Sequence, residues 1–216
     1  MSSVKRAGPL RLVATLASAG FISGMILVTV FLATQPLILR NRAEAMERAI
    51  YRVLPGSSER KVFIVREGRL EPFGEDLAAA VALDNVVFGA YDETDRLVGY
   101  AIPSAGPGFQ DTIKLLYGYD PAANLIRGME VLESRETPGL GDKIIHDGNF
   151  LANFDGLAVE PEVVAVPPGT RSKPNEVDTI SGATISAQAV VNIINRGNRR
   201  FLPAISATEE SEGDPQ

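Results

Sequence analysis

From Leu12 to Thr34 the chain reads LVATLASAGFISGMILVTVFLAT, 23 residues without a charge. At about 1.5 Å per residue a helix of that length spans about 34 Å, enough for the hydrocarbon core of a bilayer. A cleaved export signal has a shorter apolar region, roughly 7–15 residues, closed by a small-x-small site. FLATQP is a poor match to such a site, so an uncleaved membrane helix is expected over residues 12–35, behind a short tail of residues 1–11. Lys5, Arg6 and Arg11 precede the span, whereas Arg40, Arg42 and Arg48 beyond it are interspersed with Glu44 and Glu47. The positive-inside rule then gives a single-pass protein of the cytoplasmic (inner) membrane, with its N-terminus in the cytoplasm and its body outside. Gly20 and Gly24, four residues apart, either admit a partner helix or are ordinary membrane-helix glycines.

Composition removes several chemistries. There is no cysteine, which excludes disulfides, Fe–S ligation and thiol catalysis, and the single histidine, His146, argues against a His-rich metal site or a Ser-His-Asp triad. The net charge is −6, and residues 1–39 contribute +3, so residues 40–216 carry −9. An acidic body of this kind argues against a nucleic-acid partner.

Beyond the span, PLILRNRAEAMERAIYRVLPG reads as a juxtamembrane helix over residues 36–55. Leu39, Ala43, Met46, Ile50 and Val53 share one face, and Pro55-Gly56 ends it. Short β-rich runs follow: KVFIV, VVFGAY, RLVGYAIP, TIKLLYGY and LIRGMEVLES, several separated by turn residues. LAAAVAL (77–83) reads as a short helix. The pattern is α+β, with helices on one face of a largely antiparallel sheet. The body is expected to span residues 56–203, and an acidic tail, residues 204–216, is expected to be disordered.

Three segments carry candidate chemistry. In DTISGATISAQAVVNIIN (178–195) a helix begins near Ser181 to Thr184, with Ile185, Ala189 and Ile193 on one face. Arg196-Gly197 supplies a basic last turn and a C′ glycine. Ser-Gly-Ala-Thr therefore lies at a helix N-terminus, which suits either a bound phosphate or an ordinary hydroxyl N-cap. In ESRETPGLGDKI (133–144) Pro138-Gly139 fits the centre of a type II turn, and the loop is either a tight turn or a backbone approach to a flat ligand. GPGF (106–109) is a weaker candidate for the edge of a pocket.

Asp178-x-x-Ser181-Gly182-Ala183-Thr184 resembles the flavinylation motif of the FMN-binding domain family. ETPGLG, with the preceding GF…I…YD…I.G.…LES pattern, resembles the G subunit of Rnf electron transport complexes and the related C subunit of sodium-translocating NADH:quinone reductases. The resemblance covers the membrane span and roughly residues 85–196, with the motifs in the same order. It implies FMN held covalently by a phosphoester to Thr184, installed by a flavin transferase that uses FAD. Asp178, Ser181, Gly182 and Ala183 would form the recognition context and hold the phosphate through backbone N–H groups. Glu136, Thr137, Leu140 and Gly141 would contact the flavin, and Lys143 would offset the phosphate. The implied function is an electron-transfer subunit of an ion-translocating ferredoxin:NAD oxidoreductase, docked to other membrane subunits. An exported flavin reductase or a flavin-based sensor outside such a complex is the alternative. A carrier needs no catalytic side chain of its own, because FMN supplies the redox chemistry.

Overall fold

The computed structural model describes residues 8–74 and 76–212, so the end of the expected acidic tail, residues 213–216, lies outside the described residues. The chain divides into two compact units after Arg42. In the first, residues 9–42 belong to helix α1 (Pro9–Val53), which is long and apolar enough to cross a membrane, and the side chains of its apolar window are unburied. The span and the juxtamembrane segment are thus one helix and not two. Pro36 forfeits a single ladder bond, and nothing around it supplies the turn residues that would redirect the chain.

The second unit is built on a seven-stranded antiparallel sheet in the order β2-β1-β3-β4-β5-β6-β7. Its strands are β1 (Glu59–Arg66), β2 (Arg69–Gly74), β3 (Val86–Tyr91), β4 (Leu97–Pro107), β5 (Thr112–Asp120), β6 (Leu125–Glu133) and the short β7 (Leu157–Ala158). The sheet agrees with the sequence, but the helices cover both faces and not one. Along β5, Ile113, Leu115, Tyr117 and Tyr119 point into one core with Val190, Val191, Ile194 and Phe201 of the last helix, α5 (Thr184–Glu212). Leu116 points the other way, into a second core with Ala49, Ile50 and Val53 from the end of α1, the following Leu54, and Leu77 and Ala80 of α2 (Leu77–Ala80). The alternation expected for one solvated face is absent because strands such as VVFGAY are apolar on both sides.

Glycines explain how the end of α1 comes so close to the sheet. Gly99, Gly118 and Gly128 lie on the neighbouring strands β4, β5 and β6, and Gly118 and Gly128 are directly paired. A Cβ on Gly99 would stand 2.5 Å from the Tyr119 carbonyl and 2.9 Å from Leu54. A Cβ on Gly118 would collide with the Val53 carbonyl, and one on Gly128 would lie 3.2 Å from Val53 Cα. The three make a flat seat for Val53-Leu54.

α5 also departs from expectation. It does not end at Gly197, because that glycine is a packing position: a Cβ there would meet Tyr117 Oη at 2.5 Å and collide with Ser104 Oγ. The helix runs on to Glu212. Ala204 and Ile205 are buried, and Thr208 Oγ accepts a hydrogen bond from Leu70 N on β2 at 3.0 Å, which extends the helix into the acidic sequence. Between β6 and α5 run α3 (Lys143–His146), α4 (Gly148–Ala152) and a small parallel pair, β8 (Val164–Val166) with β9 (Glu176–Asp178). β9 leads directly into the turn before α5.

Candidate functional site

Thr184 is the first residue of α5. The carbonyl of Ala183 accepts the first helical bond, from Ala187 N at 2.9 Å, so Ala183 holds the N-cap position. Alanine has no side-chain acceptor, so the ordinary hydroxyl cap is missing and the opening N–H groups of the helix face the site unshielded by a cap. The turn before it closes through Ala183 N to Ile180 O at 2.9 Å, with Gly182 at φ +80° in its third position. That φ is why a glycine stands there. Ser181, Gly182 and Thr184 are exposed, and Thr184 Oγ makes only a long 3.4 Å contact to Ile180 O. Among the described residues its hydroxyl makes no other hydrogen bond.

ETPGLG forms the opposite wall. Leu140 N donates to Thr137 O at 3.1 Å and Gly139 has φ +76°, the turn that Pro138-Gly139 predicts. Thr137 Oγ donates to the Gln110 side chain at 2.8 Å, tying this turn to the loop after β4. Phe109, Thr137, Leu140, Gly141, Gly182, Ala183, Thr184, Ile185 and Ser186 line a cavity of about 350 Å³ between the three segments. That is within the size range of small-ligand sites. Phe109 (65% exposed), Leu140 (53%) and Ile185 (60%) present apolar surface at its rim. No lining side chain is titratable.

Lys143, at the start of α3, donates from Nζ to Ser181 O at 3.3 Å, beside the amino end of α5. A larger hollow of about 870 Å³ is lined by Asp142, Lys143, His146, Phe150, Asp178 and Ser181 among others. Thr184 and the apolar rim belong to the smaller cavity, which is the better fit for a flat aromatic ring tethered at Thr184. A phosphate at Thr184 would meet the helix N-terminus, with the Lys143 ammonium close by. The residues present thus fit FMN.

Two of the residues singled out in the sequence have their carboxylates engaged within the protein. Glu136 is 5% exposed, and its carboxylate points inward: Oε1 accepts from Gln110 N at 3.0 Å and Oε2 from Ser186 Oγ at 2.5 Å. Burial raises its pKa, but the bonds from Ser186 and from the backbone of Gln110, Asp111 and Phe109 outweigh this and hold it below the usual carboxylate range. Asp178 Oδ1 accepts from the backbone N–H groups of Thr170 and Arg171, both at 3.0 Å, and so braces the 167–171 turn. Neither side chain lines the smaller cavity. Ile185 corrects the helical face read from the sequence, since it borders the cavity and leaves the core to Ala187, Val190 and Ile194. Gln110 and Ser186 were not singled out in the sequence. Only the GPGF loop hinted at the first, and nothing in a one-dimensional pattern distinguishes Ser186 from any other helical serine.

Residues 108–198 match the FMN-binding domain. Over 185 residues the chain is 26% identical to the G subunit of the ion-translocating oxidoreductase complex of Methanosarcina acetivorans, covering 86% of this chain and 90% of the relative. It is 35% identical over 102 residues to the G subunit of the Na(+)-translocating ferredoxin:NAD(+) oxidoreductase complex of Acetobacterium woodii, covering 46% and 47%. With the corresponding G subunit of Pectobacterium atrosepticum it is 37% identical over 101 residues, again covering 46% and 47%. The match thus spans nearly the whole of the first relative and about half the length of the other two. The fold is that of NqrC from Shewanella oneidensis, with a TM-score of 0.62 at 18% identity over 78% of this chain and 100% of that one. The C subunit of the Na(+)-translocating NADH-quinone reductase of Parabacteroides distasonis superposes with a TM-score of 0.61 at 22% identity, over 77% and 94%.

Proposed function

We propose that this chain is an FMN-carrying electron-transfer subunit of an Rnf-type ion-translocating ferredoxin:NAD oxidoreductase, with the flavin esterified through its phosphate to Thr184 Oγ. The observation that carries the reading is the exposed Thr184 hydroxyl at an uncapped helix N-terminus, beside an apolar-rimmed cavity. A flavin transferase supplies FMN from FAD. The Thr184 oxygen forms the new P–O bond, the pyrophosphate P–O bond breaks, AMP leaves and the hydroxyl proton is lost. Ser186 is a poor acceptor for this reaction because it is buried and its hydroxyl is engaged by Glu136.

Bound FMN would supply one- and two-electron redox chemistry. Thr184 would tether it, the amino end of α5 and Lys143 would offset the phosphate charge, and Phe109, Leu140 and Ile185 would offer apolar surface to the ring. The absence of titratable side chains from the lining favours a carrier over a free-standing reductase, which would need groups to bind and protonate a substrate. The span, residues 12–35, holds the chain in the cytoplasmic membrane with its N-terminus inside, its flavin domain outside, and partner subunits beside it. An attached flavin also suits an exported domain, which cannot draw on cytoplasmic FMN to replace a lost one.

The test is ferredoxin-dependent NAD reduction in membranes carrying the wild type or Thr184→Ala. The variant should assemble with the same subunits and lose the activity. Full activity in an assembled Thr184→Ala complex would refute the proposal.

A further inference from the structure

Glu136, on the ETPGLG segment, is an acidic side chain bonded to both of the other segments that form the cavity. Its carboxylate lies in a slot between two glycines. A Cβ on Gly108 would stand 2.5 Å from Oε1, and a Cβ on Gly141 would stand 2.5 Å from Oε2 and 2.7 Å from Ser186 Oγ. Among its hydrogen bonds, one comes from Gln110 N, next to the rim residue Phe109, and one from Ser186 Oγ, two residues after Thr184. Thr137 and Gly141, which follow it in ETPGLG, both line the cavity. Among the described residues no cation pairs with it. Of the charged groups on the segments packed around it, Asp111 and Arg135 face each other at 3.6 Å and Lys143 turns to Ser181. Asp142 follows Gly141, and the first turn of α5 carries no charged side chain.

We propose that Glu136 is the positioning residue of this site and that its fixed negative charge sets the reduction potential of the bound flavin. The proposal rests on the FMN reading above. Positioning follows from connectivity, because one carboxylate fixes the loop bearing Phe109 and the turn bearing Leu140 to the helix bearing Thr184. The effect on potential follows from Coulomb's law. An ionised group behind the cavity wall, screened by little water, opposes the negative charge that reduction adds to the ring, so its presence lowers the potential. The hydrogen bonds keep the group ionised at neutral pH in spite of burial.

Glu136→Gln separates charge from shape. Its amide oxygen can still accept from Gln110 N and its NH2 can donate to Ser186 Oγ, so both contacts survive without the charge. Full-length protein, flavinylated by coexpression with the transferase and extracted in detergent, is titrated for flavin potential across pH. The expected result is an upward shift in Glu136→Gln at neutral pH. The gap to wild type should close as pH falls below the carboxylate range, where wild-type Glu136 is itself protonated. Glu136→Ala, which also loses the contacts, should keep denaturation-resistant fluorescence while the native protein's flavin anisotropy falls. Equal potentials in wild type and Glu136→Gln across the range overturn the proposal. Should Glu136→Gln fail to take up flavin, the wild-type titration decides alone: a potential that shows no extra rise on acidification overturns it. Wild-type protein without attached flavin would remove the FMN reading and this proposal together.

Discussion

The two walls of the cavity are built in opposite ways. The SGAT wall is open: Thr184 is exposed, its helix begins at an alanine, and its turn is held by one backbone bond from Ala183 to Ile180. The ETPGLG wall is closed: its glutamate is buried, its threonine is tied to Gln110, and Gly141 is pressed against both Glu136 and Ser186. A wall with free hydroxyl and N–H groups can form a bond to a ligand. A wall whose polar groups are already paired can only shape the space around it. Attachment and positioning therefore belong to different segments and should fail separately.

The largest contrast is between Thr184→Ala and Leu140→Ala. After coexpression with the transferase and denaturing electrophoresis, Thr184→Ala should lose all flavin fluorescence, while Leu140→Ala should retain it and show only an altered native flavin spectrum. Loss of fluorescence in both would merge the two roles. Next comes Gly141→Ala, whose methyl has nowhere to go between Glu136 and Ser186. Thermal or denaturant unfolding of this variant should show a loss of about 1–3 kcal/mol. Gly139→Ala is the gentler change in the same turn. No atom would crowd its methyl, so only the positive φ costs, about 1–2 kcal/mol. A Gly139→Ala variant less stable than Gly141→Ala would contradict the picture of Gly141 as the packed position.

The smallest effect is the pH dependence of the closed wall. The folded-state pKa of Glu136 lies below its unfolded value, so its stabilisation is complete above the unfolded pKa and disappears as pH falls through the folded one. The stability difference between wild type and Glu136→Gln should therefore shrink on acidification below about pH 4.3, the ordinary glutamate value. A difference that stayed constant through that range would mean the carboxylate gains nothing from its bonds.

Much of this was legible in the sequence, because local chemistry dictated it. Pro138-Gly139 specifies its turn whatever surrounds it, and a charge-free run such as Leu12–Thr34 specifies a long apolar helix. What escaped depended on tertiary partners. Gly197 looks like a helix stop until Tyr117 is seen against it, and the acidic end of α5 looks unstructured until Thr208 is seen holding Leu70 N. RLEPFG has weak strand character, yet it pairs with β1 as β2. The ETPGLG motif places Glu136 in its loop, but a motif shows which residues gather and not which way a carboxylate turns, here inward to Gln110 N and Ser186 Oγ. The second covered face of the sheet was hidden for a similar reason. The seat for Val53-Leu54 is made of three glycines on three strands, and no single segment reveals it.

The central claim is that Thr184 carries the flavin while ETPGLG only shapes its pocket, and one measurement addresses it directly. Full-length protein from cells making the transferase is digested, and the peptide containing residues 178–195 is sequenced by mass spectrometry. The account predicts this peptide heavier by FMN less one water, with fragments assigning the added mass to Thr184 alone. An unmodified peptide, or the added mass on Ser181 or Ser186, would contradict it.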